Sequence, residues 1–217
     1  MDIEVNSDIH DEQMQVMTKD ENEELNGSGV VVKIRHAIHP ALPQFLFKVY
    51  GVEQDGTYAA NKIFVYLSGN EDGKVQEIHF IETQTPDKEN LGVVIEDMNF
   101  DGYQDIRIQQ SMPASPNIPY YYWLWDEDST RFVPNTSLEI ITSPEFDQKN
   151  KWIKSDVRGN AATYYEDIYK YIDEIPMLVK ETEEMIDEVN NVVHITVMEF
   201  SNNEMKITEQ YDKPLSD

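Results

Sequence analysis

The run Asp97-Met98-Asn99-Phe100-Asp101-Gly102-Tyr103-Gln104-Asp105 places oxygen-bearing side chains at the first, third, fifth and ninth positions of a tight loop. Hard cations take six to eight oxygens at roughly 2.3–2.6 Å, and carboxylates, amide oxygens and backbone carbonyls are their usual ligands. The spacing therefore predicts a calcium site built from Asp97, Asn99, Asp101, Asp105 and the Tyr103 carbonyl. Gly102 falls where such a loop must turn sharply, a conformation open to glycine without steric cost. The twelfth position is Ile108, where an EF-hand carries a bidentate Glu. Water or a distant acid would have to complete the shell, giving a dissociation constant on the order of 10⁻⁵ to 10⁻³ M. An Asx-rich hairpin turn without metal is the alternative, since Asn, Asp and Gly favour turns in any case.

The flanks of this loop are strand-like. Leu91-Gly92-Val93-Val94-Ile95-Glu96 is short and β-branched, and Ile106-Arg107-Ile108-Gln109 alternates apolar with polar. Similar runs recur upstream as Val30-Val31-Val32-Lys33-Ile34, Phe45-Leu46-Phe47-Lys48-Val49-Tyr50, Ile63-Phe64-Val65-Tyr66-Leu67 and Ile78-His79-Phe80-Ile81. Gln54-Asp55-Gly56 and Asn70-Glu71-Asp72-Gly73 punctuate them as hairpin turns. A second hairpin is expected at the C-terminal end, where 192–200 and 205–211 flank Ser201-Asn202-Asn203-Glu204. Residues 164–189 fit either a helical stripe or a strand, with Pro176 interrupting any long helix; strands are favoured. The fold class expected is mainly β, with antiparallel sheets packed as a sandwich or strongly curled. One domain spans residues 30–211, after an acidic flexible leader at 1–29 and before a flexible tail at 212–217.

Residues 111–119 carry three prolines, which exclude helix and central strand and predict a stiff exposed loop. Tyr120-Tyr121-Tyr122-Trp123-Leu124-Trp125-Asp126 follows as an aromatic strand, one face in the core and the other shown to solvent or a partner. Asn117, Ile118, Tyr120 and Tyr121 are the candidate partner-binding residues, because a backbone fixed in advance loses little entropy on binding. A loop that only shields the aromatic strand is the competing reading.

Composition narrows the function classes. Of 217 residues, 17 are basic and 42 acidic, a net charge of −25 that repels phosphate backbones and anionic lipid surfaces and suits a basic protein partner. Cysteine is absent, which removes disulfides and thiolate metal sites, and no apolar run is long enough to span a bilayer. Phosphate-cradling glycine loops, nucleophile elbows and zinc-peptidase motifs are missing as well, so no catalytic residue is assigned and an enzyme is not expected. His36 and His39 have a metal-like spacing but would face opposite sides of a strand unless Pro40 turns the chain.

The phrase from Val94 through the 97–105 loop to Arg107, then a Pro-bearing loop, then Tyr122-Trp123-Leu124-Trp125-Asp126 and Phe132, resembles a group of bacterial envelope proteins, often lipoproteins. Ser143-Pro144-Glu145-Phe146-Asp147, Arg158 and the Tyr-rich stretch at 164–171 extend the likeness over roughly the second half of the chain. One branch of that group is similar to periplasmic lysozyme inhibitors and acts as an immunity protein against a peptidoglycan-degrading effector. The resemblance implies an exported, extracytoplasmic protein of the cell envelope, with a lipid-anchor cysteine ahead of Met1 as its only membrane attachment. It also implies a basic peptidoglycan hydrolase as partner. A glycan- or envelope-component-binding module without inhibitory activity is the alternative.

Overall fold

A computed structural model describes residues 29–70 and 73–215. Residues 1–28 of the expected acidic leader thus lie outside the described residues, as do Glu71 and Asp72 of the second hairpin turn and Ser216 and Asp217 of the expected tail, while Gly29, expected in the leader, begins a strand. The chain forms three antiparallel sheets, each a meander whose consecutive strands are neighbours. The first contains β1 (Gly29–His36), β2 (Phe45–Gln54), β3 (Thr57–Leu67) and β4 (Lys74–His79). The second contains β5 (Val93–Glu96), β6 (Asp105–Gln109), β7 (Tyr120–Asp126) and β8 (Arg131–Pro134). The third contains β9 (Pro144–Asp147), β10 (Trp152–Arg158), β11 (Thr163–Ile172), β12 (Ile175–Asp187), β13 (Val192–Ser201) and β14 (Glu204–Pro214).

Local chemistry accounts for the short connections. Two-residue hairpins favour turns with positive φ at both central positions, because that twist matches the right-handed twist of the strands. Asp55 and Gly56, Asp173 and Glu174, and Asn202 and Asn203 all adopt it. The 164–189 stretch is accordingly two strands. Pro176 is tolerated there because it pairs only with Tyr171 of β11, beyond the Lys180–Glu199 pair where the pairing of β12 with β13 ends. Tyr171 and Pro176 stand one step from the turn, so theirs is a non-hydrogen-bonded pair and the missing N–H removes no ladder bond. Asp212, Lys213 and Pro214 pair with β13, so β14 takes in three residues expected in a flexible tail.

The sheets stack with the second in the middle. Val32, Phe47, Val49, Ile63, Val65 and Ile78 of the first sheet close over Ile106, Ile108, Trp123, Trp125 and Phe132 of the second. On the opposite side of the second sheet, Tyr122 meets Met98, Leu138, Ile141 and Ile153, with Tyr120, Leu124, Phe146, Tyr169 and Tyr171 packed around them. This corrects the sequence expectation for the aromatic strand. Its second face is covered by the third sheet, which buries Tyr122 to 1% exposed and leaves Tyr120 half-buried. Alternation alone indicates two faces; it cannot say whether a further layer lies over the outer one.

Candidate functional site

The 97–105 loop connects β5 to β6, whose register begins at the Glu96–Asp105 pair. It is therefore a strand–loop–strand unit, as its flanks predicted. Asp97 Oδ1 accepts the Phe100 N–H at 2.6 Å and its Oδ2 accepts the Gly102 N–H at 3.0 Å. Asp101 Oδ1 accepts from Tyr103 N–H at 2.8 Å, while Oδ2 accepts from the Asn99 amide at 2.8 Å. Asp105 is fully buried and joins two strands: one carboxylate oxygen accepts the Met98 N–H and the other the Trp125 N–H of β7, both at 2.8 Å. Burial pushes its carboxyl up to about 7, and the charges of Asp101 and Asp97 push the same way against those two hydrogen bonds. Burial also raises Asp97.

Backbone conformation fits this wrapping. Gly102 has φ +96, and a Cβ there would meet nothing within 4 Å, so its glycine serves the dihedral and not the space. Phe100 adopts φ +64, unusual for a bulky side chain. Its ring is held against Tyr171, edge-on at 6.1 Å, and against Phe146 at 6.3 Å. Sequence spacing singled out the oxygens but gave no sign of this strained aromatic, whose role is to tie the loop to the third sheet.

The loop is where all three sheets meet. Tyr171 Oη donates to the Met98 carbonyl at 3.1 Å and Lys151 Nζ to the Phe100 carbonyl at 3.3 Å, both from the third sheet or its turns. Toward the first sheet, Gln104 N–H donates to the Ile38 carbonyl at 2.8 Å, and Tyr103 stacks on His39 at 4.4 Å. The His36 and His39 pair is thus divided: His39 lies against Tyr103, and its Nδ1 accepts from Ala41 N–H.

Asp97, Asn99, Asp101, Tyr103 and Asp105 offer the oxygens that a hard cation uses. As they stand, these side chains bond to N–H groups of the loop and, from Asp105, to that of Trp125 on β7, and among the described residues no three acidic or histidine side chains converge to hold a metal. Each hydrogen-bonded carboxylate oxygen retains a second lone pair. The donors thus fit calcium in kind, as carboxylate, amide and carbonyl oxygens.

The Pro-bearing loop lies on the other end of β6. Asn117 clasps the end of β10, its amide donating to the Arg158 carbonyl at 3.0 Å and its Oδ1 accepting the Arg158 N–H at 2.8 Å. Ser143 holds the peptides on either side of Asn117, donating from Oγ to the Pro116 carbonyl at 2.6 Å and accepting the Ile118 N–H at 2.9 Å. The Arg107 guanidinium lies over the Tyr120 ring at 4.6 Å, pairs with Glu96 at 2.8 Å and donates to the Pro144 carbonyl. Tyr121 packs on the first core near Phe80. All four candidate partner-binding residues are half-buried and engaged within the molecule. The exposed part of the loop is Ser111, Met112, Pro113, Ala114 and Pro116. Ser143 and Arg107 were not singled out from the sequence; only the fold brings them to this loop.

Comparison with known proteins gives a fold likeness. No family model matches the chain, and no curated protein matches it. A solved structure described as a Xanthomonas type IV secretion system related protein is similar, with a TM-score of 0.62 and 16% identity over 87% of this chain and 97% of that one. At that identity the likeness concerns the arrangement of the sheets. No helix among the described residues is long and apolar enough to cross a membrane.

Proposed function

We propose that this chain is an extracytoplasmic binding protein of the cell envelope that recognises and blocks a basic peptidoglycan hydrolase, with calcium stabilising the 97–105 loop. The observation that carries this reading is a stiff, proline-fixed loop clamped at its base by Asn117 and Ser143 on a molecule of net charge −25. A prearranged loop loses little entropy in a cleft, and a strongly acidic surface speeds the encounter with a basic partner. Contact is assigned to the exposed Ser111, Met112, Pro113, Ala114 and Pro116, with Asn117, Ile118, Tyr120 and Tyr121 presenting them. Sharing its fold with a Xanthomonas protein related to a type IV secretion system supports the envelope setting. The glycan-binding alternative draws less support, because the rings of β7 that would form its platform lie between two cores.

The test is retention of purified basic lysozymes and peptidoglycan hydrolases on the immobilised chain, with hydrolysis of peptidoglycan assayed alongside. Expected is a complex that weakens as salt rises and lowers hydrolase activity. Retention of peptidoglycan fragments without any hydrolase would replace this function with the glycan-binding one.

A further inference from the structure

The two faces of the third sheet divide its charges unequally. Strand register sets Lys154, Lys180 and Lys206 in one cross-strand row of one face, where Lys154 pairs with Asp156 and Glu166, and Lys213 with Glu184. The opposite face sends Ile153 and Tyr169 into the core around Tyr122. There Asp167, Glu181, Met198 and Ile207 form one cross-strand row, and Glu183 and Met185 follow Glu181 along β12. No lysine or arginine stands on this face of β11, β12, β13 or β14, and His194 is paired with Asp212 at 2.7 Å. Among the described residues no ion pair involves Asp167, Glu181 or Glu183.

Asp167 is the member of this group whose chemistry is incomplete. It is only 8% exposed, and although one carboxylate oxygen accepts the Tyr169 hydroxyl at 3.3 Å, the other is buried with no hydrogen-bond partner. Buried acids are ordinarily paired or fully hydrogen-bonded. The neighbouring carboxylates work against one another: burial and the charge of Glu181 raise Asp167, and burial and the charge of Glu183 raise Glu181. Beside them lies apolar surface without a covering layer. Met185 is 45% and Ile207 58% exposed, and neither these nor Met198 belongs to an apolar cluster of the described residues. A metal ion is a poor fit, because a hard cation takes six to eight oxygens and no three acidic or histidine side chains converge among the described residues. An ammonium or guanidinium group needs fewer acceptors and brings its own hydrogen-bond donors.

We propose that this face receives a basic segment of a partner polypeptide, a lysine or arginine side chain joining Asp167, Glu181 and Glu183 while its apolar neighbours cover Met185, Met198 and Ile207. Charge complementarity selects the occupant, since acids without a lysine or arginine on their face attract a cation and repel acidic segments. Spacing allows both contacts at once. Adjacent strands lie about 4.8 Å apart, so Glu181 and Met198 are direct neighbours, and a cation flanked by apolar residues meets acid and thioether together. The entering group supplies the donor that Asp167 lacks and relieves the repulsion among the three carboxylates. This inference uses no residue of the proline-bearing loop and does not rest on the proposed hydrolase partner.

Titration of the full chain with a fluorescent peptide of alternating lysine and leucine, at about 0.15 M salt so that long-range attraction is screened, tests it. Expected is saturable one-to-one binding that Glu181→Gln with Glu183→Gln weakens at least tenfold, and Met185→Ser with Ile207→Ser at least threefold, with the β-sheet circular dichroism spectrum retained. Removing two acids from the opposite face, by Glu199→Gln with Glu209→Gln, should change affinity less than twofold. Equal weakening by the two pairs of acid substitutions would reduce the effect to net charge and overturn the assignment. So would peptide binding that persists in Glu181→Gln with Glu183→Gln, or that is lost on replacing Met112, Pro113 and Ala114 by Gly, because the peptide would then sit elsewhere.

Discussion

The second sheet and the outer half of the third are built from equally good β sequence, yet they carry opposite burdens. β6 and β7 lie between two apolar layers, with Ile106 and Ile108 facing one and Tyr122 the other, and their connections are closed by buried polar groups such as Asp105. β14 is an edge strand whose residues are nearly all exposed, with Ile207 and Tyr211 in water. It is held by its ladder to β13 and by surface pairs, Lys213 with Glu184 at 2.8 Å and His194 with Asp212 at 2.7 Å. Exposed pairs of that kind contribute little. Its Glu, Lys and Asp side chains and closing Pro214 protect an edge from pairing with other chains. Stability is thus concentrated in the buried layers and in the loop that pins three sheets together, while the exposed side chains of β14 can vary at small cost.

Truncation gives the largest expected contrast. Tyr122→Ala should destabilise the fold by about 3–5 kcal/mol, as for other large buried aromatics. Asp105→Ala strands two buried N–H groups, on Met98 and Trp125, each costing about 1–3 kcal/mol. Ile207→Ala, at an exposed position of β14, should stay within about 0.5 kcal/mol. Urea unfolding of the three variants measures the difference, and a comparable loss in Ile207→Ala would abolish the distinction between the layers.

Asp167 on β11 sharpens the comparison, because it is a carboxylate buried in the third sheet. Burial, assisted by the charge of Glu181, pushes it up to about 6, and one of its oxygens has no hydrogen-bond partner. Its folded value exceeds the ordinary 3.8, so the fold prefers the neutral acid. No penalty exists below about pH 4, where both states are protonated; it grows through the window up to about 6 and is complete above it. Asp167→Asn should therefore melt higher than the wild type at pH 7.5 and equally at pH 4. A variant less stable at pH 7.5 would mean that the ionised carboxylate has a stabilising partner.

Calcium should act on the middle layer alone. At one hundred times its dissociation constant, the ion would add about 2.7 kcal/mol, seen as a rise in melting temperature over that in chelator. Asp101→Ala should remove most of that rise while changing the calcium-free melt little, since Asp101 is exposed. Identical melts with calcium and chelator in the wild type would leave the loop as an Asx turn. Smallest in stability, and sharpest for function, is replacement of Met112, Pro113 and Ala114 by Gly. Melting should hold, while hydrolase binding weakens at least tenfold, about 1.4 kcal/mol. Asn117→Ala, by contrast, should lower both, because it releases the end of β10.

Strand runs, hairpin turns and the oxygen-rich loop were legible in the sequence because each depends on neighbours within a few residues. Alternation marked β7, Asn202 and Asn203 marked their own turn, and the flanks of 97–105 marked strand–loop–strand. Even the ambiguous 164–189 stretch was strand-compatible, its Asp-Glu turn hidden because neither residue signals positive φ as Gly or Asn does. Contacts across sheets were not legible. Nothing local told that a third sheet would cover the outer rings of β7, that Ser143 would hold Pro116 and Ile118, or that Asp105 would reach Trp125 N–H from 20 residues away. Those partners are set by the order in which meanders stack, a property of the whole chain's burial. The sequence by itself determined which residues could form strands, turns and an oxygen-rich loop; only the tertiary structure decided which faces are interior, and so which of those residues remain free to meet a partner.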